Sequence, residues 1–198
     1  FLVLTIAGER LELSRFLPPS PVAQRVFIAV LAGLTFGMVL NAQLFGAALL
    51  ALALWLLRQD IARRTVKDTG LTRFIAVCLL SGYGWLALAG AIMLGTGLAP
   101  GSASYDAALH ALMLGFVFSM VFGHAPIIFP AVLRVAVPYH PLFYAPLALL
   151  HLSLALRLAG DLAVQPDWRS MGGALNAVAL LAFILNTIAA VIRGKLKT

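Results

Sequence analysis

Only one cysteine, seven acidic residues and four histidines occur among the 198 residues of the chain. A single cysteine excludes a disulfide framework and any metal site built from several thiolates; Cys78 lies inside an apolar run and reads as a small core residue. Charge is scarce as well: Asp, Glu, Lys and Arg make up 11% of the chain, against about 25% in a soluble domain. The motifs of several enzyme classes are missing. There is no Gly-x-Ser-x-Gly, no phosphate-binding glycine loop with a lysine and no His-Glu-x-x-His. Hydrolase, kinase, zinc-peptidase and dinucleotide-binding chemistry therefore have no signature here. Alternating segments of about ten residues, the mark of a membrane barrel, are missing too.

What is present is apolar. Hydrophobic residues make up 62% of the chain, and the mean hydropathy is +1.01. This composition predicts an all-α integral membrane protein: an antiparallel bundle of six full transmembrane helices plus a truncated N-terminal one, in a single domain over residues 1–198. The chain opens on FLVLTIAGER, without Met and already apolar, so Phe1–Ala7 reads as the tail of a helix that begins upstream. Pro18, Pro19 and Pro21 form a break before the next helix. Val26–Leu57 is apolar apart from Asn41 and Gln43. One straight helix of that length would run about 48 Å at about 1.5 Å per residue, too long for a hydrocarbon core of about 30 Å. Two helices with a turn at Asn41-Ala42-Gln43 fit better. Phe74–Gly95, Ala107–Phe122, Pro141–Gly160 and Gly173–Ile192 complete the spans, with a prolyl loop expected around Pro126–Pro138. Gly82, Gly84, Gly90 and Gly95 form a small-residue face for close helix packing, and Asn176 and Asn186 are expected to hydrogen-bond between helices.

Charge supports this count. Alternating sides with each span collects Arg10, Arg15, Arg25, Arg58, Arg63, Arg64, Lys67, Arg73, Arg134, Arg193, Lys195 and Lys197 on one side, and only Arg157 and Arg169 on the other. The positive-inside rule then makes the Arg58–Arg73 loop and the C-terminus cytoplasmic, in a bacterial inner membrane. The net charge of +7 belongs to loops that face anionic lipid, not to nucleic acid. The expected partners are the lipid bilayer, other membrane subunits or further copies of the chain.

Ionisable residues inside a bilayer are rare and point to function, which draws attention to the histidines. His110 and His124 are 14 residues apart, about 40° short of four helical turns, hence on one face and about 21 Å apart. His140 and His151 are 11 apart, about 20° past three turns and about 16 Å apart. Opposed imidazoles on neighbouring helices can clamp an iron porphyrin, so all four are candidate metal ligands, with His110 and His151 foremost as haem ligands. The two differ by about 8 Å in expected depth, which helix tilt can absorb. Asp106 lies four residues before His110, placed to accept its ring N–H and orient the imidazole. Ser102, Ser104 and Asp106 also suit helix capping. His124 and His140 border prolines and read more readily as interfacial or capping residues than as ligands. Arg157 is suited to porphyrin propionates, or to pairing with Asp161 one turn on.

The run His110-Ala-Leu-Met-Leu-Gly-Phe-Val-Phe-Ser-Met-Val-Phe-Gly, followed by Pro130 and by His151 in the next helix, resembles the haem–copper oxidase catalytic-subunit superfamily, and in particular its divergent NnrS-type membrane relatives linked to nitric oxide. The resemblance covers about Tyr105–Leu158. It implies that His110 and His151 ligate haem, with copper a lesser possibility, in electron transfer or in nitric-oxide or oxygen handling. The chain has no adjacent His-His pair, so a complete oxygen-reducing centre is not implied, and no residue is assigned a catalytic role. Two other functions fit the same residues: a cofactor-free membrane subunit of a larger complex, in which the histidines hydrogen-bond between helices, and a small transporter with protonatable histidines and Asp106.

Overall fold

The computed structural model describes residues 1–13 and 20–196; Pro18, Pro19, Arg15 and Lys197, named above, lie outside them. All regular structure among the described residues is helical. Six helical stretches are long and apolar enough to cross a membrane: 21–40, 42–59, 70–96, 103–133, 141–162 and 166–195. Ahead of them lies the shorter helix α1 (Leu2–Leu13).

The apolar stretch 26–57 divides at one residue. Helix α2 (Pro21–Leu40) ends and α3 (Ala42–Gln59) begins at Asn41, which is extended at φ −164° and ψ 125°. Its side chain accepts from the N–H groups of Gln43 and Leu44 at 2.7 and 3.2 Å, while its own N–H donates to the Gly37 carbonyl. One asparagine thus closes one helix and caps the next. Gly37 permits the fold-back, because a Cβ there would lie 2.5 Å from the Phe45 nitrogen.

A short turn, α4 (Ala62–Thr65), leads to α5 (Gly70–Thr96), which packs along α3. Gly46 and Gly90 let these two backbones meet: a Cβ on Gly46 would stand 2.6 Å from the Leu94 nitrogen, and one on Gly90 2.7 Å from that of Leu50. The expected small-residue face divides here. Gly82 meets Met120 and Gly90 meets α3, whereas Gly84 and Gly95 have nothing within 4 Å.

The next span departs from the expected Ala107–Phe122. Helix α6 (Ala103–His110) passes through a π-helical segment, Ala111–Val117, into α7 (Phe118–Leu133). Pro126 and Pro130 sit inside α7 instead of opening a loop at Pro126. Each removes one backbone donor, yet apolar surroundings favour keeping every remaining backbone bond within the helix. The helix stops at Arg134, left-handed at φ 53°, whose N–H bonds the Pro130 carbonyl. The chain then runs extended to a 3-10 turn, Pro141–Phe143, and continues as α8 (Tyr144–Leu162), which packs along α9 (Pro166–Lys195).

The core is apolar, and the outward faces of the long helices are apolar as well. Helix α9 exposes Val178, Leu181, Ile184, Leu185, Ile188 and Ile192, while Asn176, Asn186 and Thr187 are buried. Asn176 meets the expectation for it, accepting from Ser153 on α8 at 2.6 Å; the side chain of Asn186 has no hydrogen-bond partner among the described residues.

Candidate functional site

Besides the Ser153–Asn176 pair, the described residues form three polar clusters built on charged or histidine side chains, each joining helices distant in sequence. The first surrounds Asp106 on α6. Its carboxylate accepts from Arg157 Nη2 on α8 at 2.9 Å, with Arg169 Nη2 of α9 at 3.4 Å. Arg169 also reaches Asp161, its Nε 2.9 Å from Oδ1 of that fully buried carboxylate. Glycines make room for these arginines: a Cβ on Gly160 would collide with the Arg169 backbone, and one on Gly172 with that of Arg157. His110 donates from Nδ1 to the Asp106 backbone carbonyl at 2.8 Å, and its Nδ1 is 3.4 Å from the carboxylate. Asp106 therefore holds His110 as its position suggests, mainly through the backbone. Arg157 takes Asp106 as its partner rather than the i,i+4 Asp161, and it also lines a cavity of about 310 Å³ beside Asp161 and Arg169.

The second cluster holds His151. Trp85 Nε1–H on α5 donates to its Nδ1 at 2.9 Å, so the proton sits on Nε2, which lies 3.0 Å from Ser81 Oγ. Ser81 in turn donates to the Val77 carbonyl at 2.8 Å. Trp85 and His151 stack at a centroid distance of 6.2 Å. Both imidazole nitrogens are thus engaged in joining α5 to α8. Trp85 rests against Gly115 in the π-helical segment, where a Cβ would stand 2.4 Å from its ring.

The third cluster is one that spacing did not single out. Arg10 of α1, 5% exposed, donates through Nη2 to His124 Nε2 at 2.9 Å and pairs with Glu9. Its Nη1 is 3.9 Å from Asp60, a buried carboxylate that accepts from the Tyr83 hydroxyl and the Ala62 N–H. His124 donates from Nδ1 to the Met120 carbonyl at 2.6 Å. It lies within α7, nine residues before the helix end, and not in a prolyl loop. Arg10 and Asp60 read as loop charges because each follows an apolar run. The available signal was that each falls within a few residues of that run, near enough for its side chain to fold back into the bundle.

The four histidines are consequently not one site. The π-helical segment takes in an extra residue between His110 and His124, a slip of about 100° relative to a straight helix. His110 sits on Asp106, which the α8 and α9 arginines approach, and His124 goes to Arg10 of α1. His140 is exposed and caps the 3-10 turn, its Nδ1 accepting from Leu142 N–H at 3.1 Å. Among the described residues, no three His, Cys, Asp or Glu side chains gather as a metal-holding group. Axial ligation of a porphyrin needs a free ring nitrogen; in the structure both nitrogens of His151 are hydrogen-bonded, whereas His110 keeps Nε2 without a hydrogen-bond partner among the described residues.

The chain belongs to the family described as Domain of unknown function (DUF8744), whose model matches residues 1–192. No curated protein and no solved structure matches it.

Proposed function

We propose that this DUF8744 member is an integral membrane protein of the bacterial inner membrane. Its six long helices cross antiparallel, with the Arg58–Arg73 connection and the C-terminus in the cytoplasm. It works as a cofactor-independent membrane subunit whose intramembrane histidines and arginines fix the helices against one another. The observation that carries this reading is the double engagement of His151 by Trp85 and Ser81. A polar group in hydrocarbon is costly unless bonded, so such a ring serves the helix contact itself. The apolar outer face of α9 over its buried asparagines supports insertion in lipid.

One observation favours a second reading, a haem or copper group bound at His110 with other partners, in electron transfer or nitric-oxide handling. His110 donates through Nδ1 to a carbonyl and leaves Nε2 open, the usual posture of a metal-ligating histidine. Absorption spectra and metal analysis of the purified chain distinguish the two. The cofactor-independent reading expects no Soret band and no stoichiometric iron or copper. A Soret band lost in His110→Ala but kept in His151→Ala would establish the second reading. A band lost in both would restore the paired-histidine haem site.

A further inference from the structure

The arginine-rich end of the bundle carries a groove that none of the polar clusters uses. Leu54, Leu57 and Arg58 at the end of α3, Arg63 of the α4 turn, Val66 just after it, and Leu80 of α5 line an open groove of about 870 Å³. The α3 residues fall at i, i+3 and i+4 and so share one face. Leu54 is 58% exposed, and both arginines are exposed. Neither Arg58 nor Arg63 has an ion pair or hydrogen-bonded side-chain partner among the described residues. The carboxylate nearest in sequence cannot neutralise them, because Asp60 is buried and turned toward Tyr83, Ala62 and Arg10. Asp68, the other acid of this connection, is exposed and pairs with neither.

We propose that this groove binds one anionic phospholipid, its phosphate between Arg58 and Arg63 and its acyl chains along Leu54, Leu57 and Leu80. The inference rests on the membrane reading above. Guanidinium groups offer planar paired donors that match phosphate oxygens. The apolar floor beside them suits an amphiphile better than a free ion. Arg64, Lys67 and Arg73 belong to the same connection and add positive potential without lining the groove. Near a bilayer, each basic residue strengthens attraction to anionic lipid about fivefold. A zwitterionic lipid offers the same chains without net charge, so the arginines should be read out as headgroup selectivity.

Native mass spectrometry of the detergent-purified full chain tests this with phosphatidylglycerol, phosphatidylcholine and inorganic phosphate as probes. The wild type should retain one phosphatidylglycerol with a preference of about tenfold or more over phosphatidylcholine. Arg58→Gln and Arg63→Gln should each lower that preference about fivefold, and the double variant should abolish it. Arg134→Gln, an exposed arginine outside the groove, should leave it unchanged. Equal retention of the two lipids by the wild type, selectivity that survives in the double variant, or displacement of the lipid by inorganic phosphate would each overturn the proposal. Alkaline carbonate extraction of the membranes separates this outcome from failure of the underlying reading. A chain released by carbonate is not integral and both fall; a chain that stays in the membrane without lipid selectivity sinks the lipid site alone.

Discussion

At the scale of single residues, hydrogen-bond satisfaction decides what each histidine can do. His151 accepts from Trp85 and faces Ser81 with its protonated nitrogen, so replacing it leaves an indole N–H unpaired in the interior. An orphaned buried donor costs about 1–3 kcal/mol. His151→Leu should therefore lower the unfolding midpoint in detergent. Adding Trp85→Phe should recover part of the loss, because the pair is coupled. Strictly additive losses in this double-mutant cycle would show that the two side chains contribute independently. Asp106 poses the complementary case, since both Arg157 and Arg169 approach its carboxylate. Asp106→Asn removes the charge that holds two cations between α8 and α9. A hydrogen bond to a charged group is worth about 1.5–3 kcal/mol, and the loss should fall in that range, reduced by the partial exposure of both partners. Thermal unfolding of Asp106→Asn with and without Arg157→Gln measures it, and the double variant should be the more stable of the two.

At the scale of elements, backbone proximity sets tolerance. Gly90 has the Leu50 nitrogen 2.7 Å from where its Cβ would be, whereas Gly84 faces open space in the same helix. Gly90→Val should separate α3 from α5 and cost about 1–3 kcal/mol or more, while Gly84→Ala should be neutral or stabilising by about 0.5–1 kcal/mol. Equal effects of the two substitutions would mean that α3 and α5 do not meet at Gly90. The same helices show what was readable in advance. The six apolar stretches and a break within Asn41-Ala42-Gln43 followed from run length and two polar interruptions, and Asn176 found its partner on the neighbouring helix. The π-helical segment was not readable, because no residue type in Ala111–Val117 demands an i→i+5 turn; the close seat of Trp85 on Gly115 accompanies it. The end of α7 was misplaced for a related reason. Proline ends helices in water, but inside an apolar bundle the surrounding backbone bonds hold it. The clusters themselves escaped because their members lie far apart in sequence, as with Arg10 and His124 or Asp106 and Arg157.

At the scale of the whole molecule, the distribution of charge between the two ends predicts an orientation for the proposed membrane protein. The unpaired arginines Arg58 and Arg63 lie at one end of α3 and in the turn that follows, whereas the arginines assigned to the other end, Arg157 and Arg169, are engaged with Asp106 and Asp161. The positive-inside rule counts Lys and Arg whatever acidic partners they have, so the number of basic residues at each end is what predicts the orientation. Single-cysteine labelling turns this into a measurement, because Cys78 is buried and should not react with a membrane-impermeant maleimide. Ala99→Cys, in the exposed connection after α5, should label in intact cells. Lys67→Cys, in the connection before α5, should label only after the membrane is permeabilised. The reverse pattern would invert the bundle and move the lipid groove to the outer leaflet. Labelling of both positions in intact cells would mean that α5, which separates them, does not cross the membrane at all, and the six-span topology would fall with it.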